Sequence, residues 1–168
     1  MDDPRRKPSA REGARIDLSS MVFGESSHHW FADATTDQKR AAVHALIAVA
    51  TGDGKLRPEE KAAIASACER LGVSSLDVAQ ALATTMPSMV DPPTDPRARM
   101  QLLLDCAAVM VADQRIDDRE LAVLLMVGRT LGFSSKTVGE AAACVAQALA
   151  ASQRRQQVIE RLLDEMSG

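Results

Sequence analysis

The sequence predicts an all-α protein of about seven helices, arranged as two pseudo-symmetric helix-loop-helix-helix repeats. Apolar residues recur at helical spacing from residue 36 to the end of the chain, and no run alternates as a half-buried strand does. The second half repeats the first at an offset of 60 residues. Alanine is abundant and only 2% of residues are aromatic, so we expect helices that pack closely through small side chains.

The first repeat is predicted at about residues 36–86 and contains three helices. Thr36 or Asp37 can cap the free amides of the first helix, which ends at a turn with two glycines. Pro58 suits the first position of the second helix, and Gly72 ends that helix. A third helix follows and stops at a connector that carries four prolines.

The second repeat is predicted at about residues 96–150. Asp95 caps its first helix and Pro96 opens it. Asp117 and Glu120 then have the spacing of a capping box at the start of the next helix. A sixth helix completes the repeat.

Two segments lie outside the repeats. A break near Ser152 is expected to separate the sixth helix from a closing helix at about 154–166. Residues 1–33, rich at first in proline, arginine and serine, are predicted to be a flexible arm before a helical domain at 34–168.

Corresponding positions of the two repeats share their residue types. One unit cannot bury both sides of its helices, whereas two units packed face to face can. The matched pairs are Asp53 with Asp113, Leu56 with Ile116, Glu60 with Glu120, Leu71-Gly72 with Leu131-Gly132, and Val78 with Val138.

Composition excludes several classes of function. A net charge of -3 and a pI of about 5.6 argue against nucleic acid as the main partner. No apolar run approaches the roughly 18 residues that a membrane span needs, and the charged N-terminus is not a secretory signal. Three isolated cysteines predict reduced, buried thiols in a cytoplasmic protein, namely Cys68, Cys106 and Cys144.

The repeated acidic positions are candidate metal ligands, because hard divalent cations favour carboxylate oxygens. The four candidates are Asp53, Glu60, Asp113 and Glu120. The EF-hand template fails, since Val49 and Thr51 would stand at its first and third ligand positions. The alternative is structural: an aspartate that holds its own turn and a glutamate in the first turn of a helix explain the same positions.

Other chemistry has little support in the sequence. His28 and His29 stand beside Trp30, but two adjacent imidazoles without a spaced partner make a weak transition-metal site. His44 reads as a partly buried helical residue. No nucleophile, zinc-protease or phosphate-binding motif occurs, so we predict no catalytic residues and no enzyme.

The arm carries an unusual concentration of apolar and aromatic groups. Such a segment either straps onto the domain's own surface or anchors a partner protein. The candidate contacts are Ile16, Leu18, Val22, Phe23, Trp30 and Phe31.

The repeated turn resembles the signature of the tellurite-resistance TerB-like family. It reads Ala50-Thr-Gly-Asp-Gly-Lys-Leu-Arg-Pro-Glu-Glu60 in the first copy and Val111-Ala-Asp-Gln-Arg-Ile-Asp-Asp-Arg-Glu120 in the second, each followed by a helix that closes with Leu-Gly. Gly52 replaces the usual alanine and Gln114 the usual glycine. The resemblance covers about residues 36–168 and extends to the N-terminal domain of some J-domain co-chaperones, although the His-Pro-Asp tripeptide is absent.

The resemblance implies an all-α fold and a place in stress-linked assemblies, with a proposed metal role and no enzymatic activity. We therefore expect a protein-interaction or scaffolding module of a stress-response, tellurite-resistance or defence system. The alternative is a sensor of divalent cations that uses the paired acidic loops. No cofactor other than such a cation is expected.

Overall fold

A computed structural model describes residues 31, 33–74, 78–79 and 92–167 of the chain. Within these residues every regular element is a helix, which confirms the all-α prediction. The predicted third helix lies almost entirely outside them, as does the connector up to residue 91, so the seven-helix, pseudo-symmetric arrangement stays a prediction. The helices are α1 (Thr36–Ala50), α2 (Pro58–Leu71), α3 (Pro96–Met110), α4 (Asp118–Thr130) and α5 (Ser135–Ser167).

Local sequence signals set most helix ends. Pro58 opens α2, and Gly72 ends it in the left-handed conformation (φ 64°). Asp95 caps α3 ahead of Pro96 by accepting a bond from the Arg97 amide. For α1 the capping residue is Thr35, one residue earlier than expected, in a capping box with Gln38.

The break expected near Ser152 is not present, because α5 runs without interruption for 33 residues. Neither glycine nor proline occurs between Glu140 and Met166, so nothing in the backbone stops the helix. Ser152 itself is buried, with 6% of its surface exposed, and lies within the helix. The predicted closing helix is therefore the second half of α5.

The core is built around α3, which contacts all four other helices. Every residue from Gln101 to Val111 is buried, so this helix has no solvent face along most of its length. Small residues allow the close packing that the composition predicts. A Cβ atom on Gly128 of α4 would overlap Cγ2 of Val138 on α5.

Phe31 is buried at the start of the described chain. It is 4% exposed and belongs to the hydrophobic core, with Ala34 packed beside that core. Of the two roles that the sequence left open for the aromatic segment, Phe31 has the first, which is packing on the chain's own domain. The remaining candidate contacts of the arm, from Ile16 to Trp30, lie outside the described residues.

The cysteines divide into two kinds. Cys68 and Cys106 are buried free thiols, and burial raises the pKa of Cys68 to about 11 and that of Cys106 further. Such thiols are poor nucleophiles at neutral pH. Cys144 is exposed, so the prediction of three buried thiols is wrong at this position. It lies on α5, whose buried face is formed by Val138, Ala142 and Val145.

Length alone does not make α5 a membrane segment. Among the described residues no helix combines the length and the apolar character needed to cross a bilayer.

Candidate functional site

Two loops, 51–57 (loop 1) and 111–117 (loop 2), join helices at corresponding places in the chain. Each leaves its helix through the same three backbone hydrogen bonds. In loop 1 the donors and acceptors are Thr51 to Ile47, Gly52 to Val49 and Gly54 to Thr51; in loop 2 they are Val111 to Ala107, Ala112 to Val109 and Gln114 to Val111.

Each loop contains an aspartate that stabilises its own turn. Oδ1 of Asp53 accepts from the Lys55 amide at 2.7 Å, and Oδ1 of Asp113 accepts from the Arg115 amide at 2.9 Å. This is the structural role that the sequence offered as an alternative to metal binding. In each aspartate the second carboxylate oxygen, Oδ2, contacts Arg57.

Arg57, at the end of loop 1, contacts all four carboxylates that the sequence predicted as metal ligands. Its Nη2 lies 2.6 Å from Asp53 Oδ2, and its Nε lies 3.2 Å from Asp113 Oδ2. Its Nη1 lies 3.2 Å from Glu60 Oε1 and 3.4 Å from Glu120 Oε1. We call these five residues the Arg57 cluster.

The cluster is largely shielded from water. The side chains of Glu60 and Glu120 are 0% and 1% exposed, and the two aspartates are below 10%. Arg57 itself is 26% exposed. Charges so placed interact more strongly than surface pairs do, because less solvent screens them.

Helix starts position the two glutamates. Glu60 lies in the first turn of α2, where its Oε2 accepts from the Arg57 amide at 2.6 Å. Glu120 lies in the first turn of α4, which Asp117 caps through a bond from the Arg119 amide. Negative charge is favourable at both places because the helix dipole is positive there.

The cluster holds more negative than positive charge, since four carboxylates surround one guanidinium. Burial raises the pKa of Glu120 to about 7, and repulsion from Glu60 and Asp53 adds to the effect, while Arg57 opposes it. The pKa of Asp53 is lowered, first by the bond from the Lys55 amide and then by Arg57. The pKa of Arg57 is raised, so it stays charged.

The sequence pattern predicts the four acids of the cluster but not its arginine. The position that corresponds to Arg57 in the second repeat is Asp117, so the repeat itself gave no reason to select it. The available signal was spacing: Arg57 stands four residues after Asp53 and three before Glu60, as a guanidinium between two acids would.

Gly52 has a packing role at the same place. A Cβ atom there would lie 2.9 Å from the Cα of Glu120 and 3.0 Å from its amide nitrogen. Loop 1 therefore approaches the start of α4 more closely than a side chain permits. This contact gives glycine a structural reason at position 52.

The metal hypothesis stays a prediction. Within the described part of the chain, no group of three or more His, Cys, Asp or Glu side chains is arranged to hold a metal ion. The four carboxylates are instead directed at a guanidinium. His44 is half-buried, and burial lowers its pKa. His28 and His29 lie outside the described residues.

A second feature lies at the C-terminal end of the described residues. The last turns of α5, where the sequence predicts a closing helix, expose large apolar side chains. They are Val158 (50% exposed), Ile159 (42%), Leu162 (52%), Leu163 (56%) and Met166 (84%).

The fold and the Arg57 cluster together define a class: a helical module in which two acidic turns, each ahead of a helix, converge. Residues 26–83 match the family model described as tellurite resistance protein TerB, which confirms the TerB-like resemblance. The matched range includes α1, loop 1 and α2. It covers 58 of the 168 residues and does not extend to loop 2 or to the helices that follow it. No curated protein and no solved structure shows a significant match to the chain.

Proposed function

We propose that this chain is a non-enzymatic TerB-like module that works by binding another protein in a tellurite-resistance or related stress system. The observation that carries the proposal is the exposed apolar face of α5. Large apolar side chains grouped on one surface mark interaction sites in soluble proteins. The Arg57 cluster would then hold the helices in place and would not contact the partner.

The chemistry of the cluster supports a structural role for it. Asp53 and Asp113 each stabilise the turn of their own loop, and Glu60 caps α2. Three of the four acids thus have a role in the fold that needs no substrate, and the fourth, Glu120, contacts Arg57. The two buried thiols have raised pKa values, which is the opposite of what a nucleophile needs.

Crosslinking in cells that express the tagged full chain tests this proposal. We expect a crosslinked protein that is lost when Leu162 is changed to aspartate on the apolar face. Gln157→Asp, an exposed change on the opposite face of α5, is the matched control and should keep it. Equal crosslinking in all three proteins would exclude α5 as the binding surface.

The aromatic arm needs a separate truncation. Because Phe31 is part of the core, the informative variant removes residues 1–30 and keeps Phe31. Loss of stability with unchanged binding assigns the arm to the domain's own surface. Loss of a partner with unchanged stability assigns it to docking.

Divalent-cation sensing is the second candidate, and the convergence of four carboxylates favours it. A cation that used them would have to displace the Arg57 guanidinium, which contacts all four. Calorimetry with Ca²⁺, Mg²⁺ and Zn²⁺ tests this in the wild type and in Arg57→Gln. Under this hypothesis the variant binds more tightly; no heat and no thermal shift in either protein would exclude it.

A further inference from the structure

The second half of α5 is exposed on all sides. Ser152 is its last buried residue, and all thirteen residues from Arg154 to Met166 are exposed. At 1.5 Å per residue this segment is about 20 Å long. An isolated helix of that length is marginally stable in water, so a covering surface would stabilise it.

The apolar residues of this segment form one continuous face. Val158, Ile159, Leu162 and Met166, which we call the α5 stripe, fall within an arc of about 100° when successive residues are placed 100° apart. Leu163 lies about 40° beyond one edge of that arc. The face is therefore suited to pairing with another amphipathic helix along its length.

Charge is distributed unevenly along the same segment. Arg154 and Arg155 precede the α5 stripe, whereas Asp164 and Glu165 stand at its end. With Glu160 and Arg161 between them, three positive and three negative charges cancel. A segment that binds anionic lipid would carry an excess of basic residues, and this one does not.

The positive start and negative end make the segment complementary to itself in the reversed direction. A parallel pair would place the arginines of one copy beside the arginines of the other, and the acids beside the acids. An antiparallel pair places unlike charges together and also opposes the two helix dipoles. Arg154 and Glu165 lie on the same flank of the α5 stripe, so each can face its opposite in a two-fold arrangement.

We propose that two copies of this chain associate by antiparallel pairing of their α5 stripes, with Arg154 of each copy facing Glu165 of the other. This inference rests on the proposed function, because it names a second copy as the protein that α5 binds. One stripe from each copy forms a small interface, and small interfaces are weak and concentration-dependent.

Sedimentation equilibrium of the full chain from about 1 to 500 µM tests the pairing over the range expected for a small interface. The average mass should rise from 18.0 kDa towards twice that value. Leu162→Asp should weaken association at least about tenfold, since it places a charge in the apolar face. Gln157→Asp, on the opposite face, should leave it unchanged.

Charge reversal tests the direction of the pair. Arg154→Glu and Glu165→Arg should each weaken association, because each places like charges together. The double variant should restore it, since the antiparallel pair then regains both opposite-charge contacts. Circular dichroism of each variant at low concentration checks that the helix content of the monomer is unchanged.

Three outcomes would overturn the proposal. A monomer at every concentration excludes self-pairing; if a different protein then crosslinks in a Leu162-dependent manner, the proposed function survives. A dimer that Leu162→Asp leaves intact uses another surface. A chain that dimerises only after removal of residues 1–30 has its stripe covered by its own arm.

Discussion

Loop 1 and loop 2 share their backbone hydrogen bonds, yet only loop 1 supplies the cation of the Arg57 cluster. Arg57 contacts acids from both loops, whereas Asp117, at the corresponding position, only caps its own helix. Leu56 packs against the core, whereas Ile116 is 59% exposed. Two turns with the same backbone hydrogen bonds therefore differ in role, because one changed residue places a cation against the acids of both loops.

The largest expected effect comes from replacing Arg57, and replacing Asp117, at the corresponding position of loop 2, is the matched comparison. Arg57→Gln should cost about 3 kcal/mol of unfolding free energy, because it leaves buried carboxylates without their cation. Asp117→Ala should cost about 1 kcal/mol, the usual value for a lost cap. Urea unfolding measures both.

Adding Glu120→Gln to the Arg57 variant should recover part of the loss, since it removes one of the repelling charges. Equal costs for the two single variants would mean that the guanidinium contributes no more than a cap does.

Loop 1 approaches α4 more closely than a side chain at residue 52 permits, whereas loop 2 carries Ala112 at the corresponding position. Gly52→Ala should cost about 2 kcal/mol, because its Cβ would meet the backbone of Glu120 at 2.9 Å. The reverse change in loop 2, Ala112→Gly, should cost less than about 1 kcal/mol. Thermal and urea unfolding measure the two changes. A Gly52 variant as stable as the wild type would show that the loop moves away freely.

Glu120 gives stability a pH dependence whose sign follows from its raised pKa. Its ordinary value of 4.5 rises to about 7 in the folded protein, so the folded state binds more protons between these values. This contribution is full below pH 4.5 and is lost as the pH rises through 7. Asp53 acts in the opposite direction and below its ordinary pKa of 3.8, outside this window.

Unfolding free energies measured from pH 5 to 8 test the sign. We expect the wild type to lose about 1 to 2 kcal/mol across this range relative to Glu120→Gln. His44 titrates in the same range but is identical in both proteins, so the difference isolates Glu120. A constant difference between the two proteins would contradict the prediction.

The smallest expected effect concerns the left-handed residue of each loop. Gly54 has φ 84° without strain, whereas Gln114 has φ 64°, which costs an L residue energy. Gln114→Gly should stabilise the protein by about 0.5 to 1 kcal/mol, and Gly54→Gln should destabilise it by a similar amount. Chemical denaturation measures both. A loss of stability in Gln114→Gly would contradict the prediction and would indicate that the Gln114 side chain makes a stabilising contact.

Much of the fold follows from short stretches of sequence. Pro58, Gly72 and the Asp95-Pro96 pair set helix ends where they were expected, because caps depend on residues within one turn of each other. The uninterrupted α5 was missed, since a polar stretch around Ser152 suggested a break although it contains no residue that stops a helix.

The candidate site was found in part. Repetition selected the four acids, but it could not select Arg57, whose contacts with Asp113 and Glu120 join positions far apart in the chain. The exposed face of α5 was also missed. Its apolar spacing is that of a buried helix, and only the position of the neighbouring helices shows that nothing in the described body covers it.

The sequence by itself determined the helices, their caps and the two acidic turns, because these depend on backbone conformation and hydrogen bonds between near neighbours. The tertiary structure decided which charges meet and which apolar side chains remain exposed. Those properties depend on the distances between separate helices, and burial changes the energy of a charge only after the chain has folded around it.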